Sequence, residues 1–208
     1  MIGIFNYGHC NINSITNALR ILSINYKVSS NFENLKNCEK IIFPGVGNMK
    51  SVNLDNLDDL KISLNEYLNN GGMVYGICLG LQLFFDYNGE ADKKTLGLIR
   101  GETKKICDDF NYELNVQFCG LNDTEYNNED IVKKLFKNLS FNEKFYYLHK
   151  FYCDSKDNET IIMYSLCNKK KMPSMFIKKN IIGTQFHPEL SKMPGLLFLK
   201  NFCEMKVL

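Results

Sequence analysis

The sequence predicts an α/β protein with an open, mostly parallel mixed sheet and helices on both faces, in a single domain over residues 1–208. Three observations carry this. Strand-like apolar runs alternate with amphipathic stretches through the N-terminal part, the order of a parallel sheet with crossover helices. Proline and glycine end these runs, as at Pro44-Gly45 and Gly71-Gly72. Beyond Leu96 the runs are short and β-rich, which predicts a mixed sheet continuing past the parallel half. No internal repeat, low-complexity linker or composition break marks a second domain.

The elements follow in order. Ile2-Gly3-Ile4-Phe5 reads as a strand. Asn11 to Ile24 reads as a helix, with Asn11 or Asn13 as cap and Ile15, Ala18, Leu19 and Leu22 at helical spacing. Lys40 to Phe43 is a second strand, stopped by Pro44-Gly45. Leu57 to Leu68 is an amphipathic helix closed by Gly71-Gly72. Gly72 to Tyr75 is a strand that leads through Gly76-Ile77-Cys78-Leu79-Gly80-Leu81-Gln82 into a further helix. Phe145 to Leu148 and Thr160 to Tyr164 are short strands. Ile177 to Phe186 is a strand interrupted by a turn at Lys178-Lys179-Asn180, and Gly195 to Met205 is the closing helix.

Composition narrows the classes. A chain of 208 residues can bury a sizeable core, and 45% apolar with 23% charged residues is ordinary for a globular protein. Twenty-five basic and 23 acidic residues leave a net charge of +2, so no nucleic-acid partner is expected. No apolar run approaches the roughly 20 residues of a membrane span. Strand-like residues begin at Ile2, which leaves no room for a signal peptide, so a cytoplasmic protein is expected. The eight cysteines form no CxxC pattern and are expected as thiols. No metal or organic-cofactor signature is found.

Chemistry concentrates at two places. Cys78, flanked by Gly76 and Gly80 between a strand and a helix, has the pattern of a nucleophile elbow. Such a turn strains the backbone at the nucleophile and crowds its neighbours, and helix N–H groups favour the thiolate. His187 and Glu189 lie two apart after a strand, where extended backbone turns both side chains the same way. Cys78 as nucleophile, His187 as base and Glu189 as orienter make a triad in role. Phe43, Tyr75 and Phe186 end predicted strands, so Pro44 to Gly47, Cys78 and His187 are expected to share the crevice beyond the strand ends. Gln82, one helical turn after Cys78, faces the same side.

With these residues in view, the chain resembles the class I glutamine amidotransferases of the triad type, and within them the glutaminase subunits of imidazole glycerol phosphate synthase. Asn6-Tyr7-Gly8, Asn11 to Ser14, Pro44-Gly45-Val46-Gly47, the elbow, Gly97-Leu98-Ile99, Gln185-Phe186-His187-Pro188-Glu189 and Lys200-Asn201-Phe202 fall in family order over nearly the full length. The resemblance implies a flavodoxin-like fold and hydrolysis of L-glutamine to glutamate and ammonia. It also implies a heterodimer with a (β/α)8-barrel cyclase subunit that receives the ammonia for histidine biosynthesis, and low activity of the subunit alone. Leu79 N–H and either Val46 or Gly47 N–H are the expected oxyanion donors. By the same resemblance Gly45, Gln82, Glu90, His149, Lys150 and Phe151 contact glutamine, and Tyr147 lies on the wall opposite Gln82 and Glu90.

The sequence departs from the family at Asn6, at Cys10, at Lys150 (where the family has Ser), at Leu190, and through Val116 to Asn122, whose expected Pro, His and Trp are missing. None of these touches the triad. Most fall where the resemblance places the partner, which leaves two alternatives. One is a paralogous glutaminase serving a sugar amidotransferase in surface-polysaccharide or flagellin-glycan synthesis. The other is a binding or regulatory subunit with an idle triad.

Overall fold

The structure is a computed structural model. It describes all residues except 9, 54–55, 111–117, 120–128, 141–142, 168–169 and 207–208, with backbone alone at Phe118, Cys119, Glu129 and Leu166. The divergent stretch Val116 to Asn122 therefore lies outside the described residues, save the backbone of 118–119.

The strands in chain order are β1 (Ile2–Phe5), β2 (Tyr26–Ser29), β3 (Lys40–Phe43), β4 (Met73–Ile77), β5 (Phe85–Asn88), β6 (Lys93–Lys94), β7 (Ile99–Lys105), β8 (Phe118–Cys119), β9 (Phe145–Tyr146), β10 (Phe151–Ser155), β11 (Ile161–Cys167), β12 (Lys170–Lys178) and β13 (Ile181–Thr184). Seven of them form the main sheet in the order β11-β12-β13-β4-β3-β1-β2. β13, β4, β3, β1 and β2 run parallel, while β12 and β11 add an antiparallel edge. The α-helices are α1 (Ile12–Ile21), α2 (Leu57–Asn69), α3 (Leu79–Gln82), α4 (Ile106–Phe110), α5 (Glu129–Leu135) and α6 (Lys192–Glu204).

Alternation along the strands builds two cores, because successive side chains point to opposite faces. Ile2, Ile4, Ile42, Met73, Tyr75, Ile77 and Ile182 face one side, where α1, α5 and α6 bring Leu19, Leu135, Phe198 and Phe202. Ile41, Phe43, Val74, Phe176 and Ile181 face the other, against Leu64 and Tyr67 of α2 and Phe85, Ile99 and Cys153 of a smaller sheet. That four-stranded sheet, in the order β10-β7-β5-β6, is separate. The β-rich half thus splits between an edge of the main sheet and a second sheet, where one continuous sheet was expected.

Other boundaries also move. α1 ends at Ile21, because Ser23 takes a left-handed conformation at φ 56° and Ile24 N–H returns to Leu19 O at 2.9 Å. α2 closes the same way through Gly71 at φ 85°, as its glycine pair predicted. The helix expected after the elbow is a single turn. Phe84 O accepts the N–H groups of Leu98 and Ile99, so the backbone at 84 pairs with the chain entering β7 and Phe85 begins a strand. β4 runs on to Ile77, and β13 stops at Thr184, short of Phe186. The Lys179-Asn180 turn joins β12 to β13 as expected. α6 starts at Lys192, earlier than the expected Gly195. β2, half exposed at the sheet edge, had no apolar run to announce it.

Candidate active site

Cys78 sits at the C-terminal end of β4 in a left-handed conformation, φ 48° and ψ −101°. A non-glycine residue there stores strain of about 1–3 kcal/mol, held by the surrounding contacts. Cys78 N–H donates to Thr184 O at 2.7 Å, tying the elbow to the end of β13. Beneath, the Thr184 hydroxyl donates to Phe186 O at 2.9 Å and lies 2.7 Å from the Tyr75 hydroxyl. The following helix is one turn long, so its dipole is a fraction of that of the longer helix expected.

Two glycines explain how the loop after β3 reaches the elbow. A Cβ on Gly80 would lie 2.0 Å from Phe43 O, and one on Gly45 1.8 Å from Ile77 O and 2.5 Å from Leu79 N. Backbone therefore lies directly on backbone where Pro44-Gly45-Val46-Gly47 meets Cys78-Leu79-Gly80. The loop is held at both ends. The Tyr7 hydroxyl donates to Pro44 O, and Glu90 Oε2 accepts the Met49 N–H at 3.0 Å. Burial, with charges at Cys10 and Cys78, holds the Tyr7 phenol well above its ordinary pKa, so it stays a donor.

His187 and Glu189 do meet, though not along extended backbone: Glu189 lies in the 3-10 turn Pro188–Leu190 that His187 caps, and that turn brings the carboxylate back to the ring. The imidazole Nδ1 lies 2.8 Å from Glu189 Oε1, and both side chains are buried. A carboxylate only accepts, so Nδ1 carries the proton and Nε2 is left for Cys78. Nε2 faces Cys78 and has no other partner in reach. Burial alone would lower the imidazole pKa. The charges on Cys78 and Glu189, and the hydrogen bonds to both, outweigh it and raise the value to about 10. His187 is fixed from behind: its N–H donates to Tyr146 O at 2.8 Å, and its carbonyl accepts from the Ser191 hydroxyl at 2.6 Å.

A cavity of about 470 Å³ opens in front of the sulfur, lined by Gly47, Asn48, Cys78, Leu79, Gln82, Glu90, Leu148, His149, Lys150 and Phe151. It gathers most of the residues anticipated there. Gly45 and Val46 are not on its wall, and Tyr147 is buried in the core with Leu148 in its place. A larger cavity of about 660 Å³, beside Phe5, Phe32 and Leu60, holds none of these groups. Gln82 Nε2 donates to Phe151 O at 3.5 Å, and Asn88 Nδ2 donates to Gln82 Oε1 at 3.4 Å. His149 Nδ1 lies 2.8 Å from Phe151 O, so Nδ1 carries a proton, and in the neutral ring Nε2 is the acceptor. Burial, and the charge of His187, push its pKa down to about 4 against the bond to Phe151.

Sequence reasoning missed Gln185 and Asn88. Gln185 Nε2 lies 3.4 Å from Cys78 Sγ. Its place two residues before His187 in the Gln185-Phe186-His187-Pro188-Glu189 string was the available signal, although the chain bends at 185–186. Asn88 accepts the N–H groups of Glu90 and Ala91, each at 3.0 Å, and so sets the loop that carries Glu90. Nothing local in sequence marks that role.

Buried polar atoms without partners collect here: His149 Nε2, Gln185 Oε1, His187 Nε2 and Glu189 Oε2. Each costs about 1–3 kcal/mol in a folded protein, a cost that fits a site awaiting a polar ligand. Among the described residues no group of three or more His, Cys, Asp or Glu side chains is placed to hold a metal ion, and no helix is long and apolar enough to cross a membrane. The arrangement has the parts for thiol-based acyl transfer: a nucleophile, an oriented base and backbone amides beside the sulfur.

Comparison with known proteins agrees with this chemistry. The family model for glutamine amidotransferase class I matches residues 4–205. The chain is 33% identical to the imidazole glycerol phosphate synthase subunit HisH of Leptospira borgpetersenii over 99% of this chain and all of that one. It is 34% identical to the HisH of Leptospira interrogans, with the same coverage. A crystal structure of a glutamine amidotransferase superposes with a TM-score of 0.69 at 17% identity, covering 96% of this chain and 97% of that chain, a likeness of fold. The chain belongs to the class I glutamine amidotransferase family, alongside the HisH subunits.

Proposed function

We propose that this enzyme hydrolyses L-glutamine through Cys78, His187 and Glu189 and supplies the ammonia to a synthase partner, as the glutaminase subunit of imidazole glycerol phosphate synthase. The observation that carries the reading is the buried His187–Glu189 pair, with Nε2 left for the strained Cys78. The Cys78 thiolate attacks the side-chain amide carbon. The His187 imidazolium gives its Nε2 proton to the departing ammonia, leaving a thioester. His187 then takes a proton from water, which attacks the thioester and releases glutamate.

Leu79 N–H, next to the nucleophile, and Val46 or Gly47 N–H on the abutting loop take the oxyanion. The cavity wall supports glutamine as substrate. Glu90 and Lys150 offer opposite charges for the α-ammonium and α-carboxylate, with Gln82, His149 and Phe151 between them. The partner is a (β/α)8-barrel cyclase subunit, and ammonia passes to it without reaching bulk water.

The test is ammonia release from glutamine by this chain with the histidine-pathway cyclase subunit and its nucleotide substrate. Stimulated release that falls roughly 10⁴-fold or more in Cys78→Ala is expected. No stimulation, from a folded chain whose Cys78 still alkylates, would move the sugar-amidating paralogue to first place. Unchanged release by Cys78→Ala would end the triad reading.

A further inference from the structure

Gln185 stands outside the triad yet touches its sulfur. Its side chain is buried, and Nε2 lies 3.4 Å from Cys78 Sγ, inside the range of a hydrogen bond to sulfur. Its backbone N–H donates to Ser174 O at 2.8 Å, anchoring the residue to β12 while the side chain crosses to the elbow. The other end of the amide, Oε1, is buried with no partner. An amide kept for stability alone would have both ends satisfied. Here only the end that faces the sulfur is engaged.

A thiol accepts weakly, whereas a thiolate accepts strongly, and a donor within reach favours the ionised form. We propose that Gln185 is a further catalytic residue, donating from Nε2 to the Cys78 sulfur so that the nucleophile is held as thiolate and aimed before glutamine enters. This deepens the glutaminase reading and rests on it for the reaction served. It takes nothing from His187, whose proton is spent on the leaving ammonia. Gln185 instead supplies an uncharged donor that stays in place through the cycle, both in the thioester, when His187 is neutral, and when the sulfur later leaves as thiolate.

The other titratable groups around the sulfur are His187 and Glu189 beyond β13, His149 and Lys150 before β10, Glu90 beyond β5, Tyr7 beyond β1 and Cys153 on β10. All are left untouched by changing Gln185.

The experiment uses the full chain with its cyclase partner and two variants. Gln185→Met keeps the volume and removes the donor, and Gln185→Glu keeps the shape and places an acid against the sulfur. The pH dependence of Cys78 alkylation by iodoacetamide is read by mass spectrometry of the Cys78 peptide, and kcat and KM for ammonia release are measured beside it. In Gln185→Met the alkylation midpoint should rise by about one pH unit. There kcat should fall about 10- to 100-fold, the loss of one charge-assisted hydrogen bond, with KM nearly unchanged. Gln185→Glu should raise the midpoint further. A folded Gln185→Met with wild-type midpoint and kcat would overturn the proposal and leave Gln185 as filling. If that variant fails to fold, the same result from Gln185→Glu would do so. Alkylation needs no glutamine, so a wild-type chain without ammonia release would sink the glutaminase reading while the midpoint still judged Gln185.

Discussion

At the scale of single residues, two histidines in one site are driven in opposite directions by their surroundings. Burial alone would lower the pKa of His187, but Cys78 nearby and a carboxylate at 2.8 Å raise it to about 10. His149 has a backbone carbonyl as its hydrogen-bond partner and the positive charge of His187 nearby, and burial pushes its pKa down to about 4. Separation of this kind assigns roles: one ring is poised to hold a proton for a leaving group, and the other offers a lone pair to a ligand. The depressed ring carries a consequence for stability. Between pH 6.5 and about 4 the unfolded chain binds a proton at His149 that the folded chain refuses, so stability falls as pH drops through that window and the loss levels off below it. The loss amounts to about 3 kcal/mol. Urea unfolding at pH 7 and pH 4.5 checks this, and His149→Gln should show a smaller difference between the two. An equal difference in both proteins would remove His149 as the cause.

At the scale of elements, the site depends on three chain crossings at the C-terminal edge of the main sheet, where β3, β4 and β13 end side by side. The elbow was legible in sequence because its requirements are local: a nucleophile flanked by glycines after an apolar strand. The reason for Gly80 is not local. It lies in the carbonyl of Phe43, a residue on another strand, 2.0 Å from where a Cβ would stand. Gly80→Ala must displace backbone on one side or the other by about 1 Å, and misplacement on that scale costs about 100-fold in rate. The expected result is a folded protein with ammonia release reduced to that extent, measured with a thermal melt to separate misplacement from unfolding. Full activity would show that the elbow and the loop after β3 do not need their close approach. The one-turn α3 was hidden for a similar reason. Leu83-Phe84-Phe85 is as apolar as a buried helix, and only the pairing of Leu96, Leu98 and Ile99 with this stretch turns it into a strand entry.

At the scale of the molecule, β3 and the C-terminal end of α6 are locked together through a charge in the core. Lys40 on β3 is 1% exposed, and its Nζ donates to Cys203 O at 2.7 Å and to Met205 O at 2.6 Å. These are carbonyls at the C-terminal end of α6, where a cation completes the orphan acceptors and suits the helix dipole. Its Nζ lies over the Phe202 ring, 5.5 Å from the centroid. Lys40→Ala removes the cation and leaves both the carbonyls and the stem's volume unfilled. It should destabilise the protein by about 2–4 kcal/mol, read as a lowered denaturant midpoint. A change under about 0.5 kcal/mol would mean that water replaces the ammonium without cost.

The α/β class, the elbow at Cys78 and the pairing of His187 with Glu189 were written in the chain itself. Each rests on periodicity, a turn requirement or a two-residue spacing, and these act between neighbours whatever the rest of the chain does. Other features came from folding alone: the second sheet, the shortened α3 and the anchoring of Met49 by Glu90. They join residues far apart in the chain, 41 positions for Met49 and Glu90. No local pattern encodes such a meeting, because it depends on which strands end side by side, and the packing of the whole sheet sets that order.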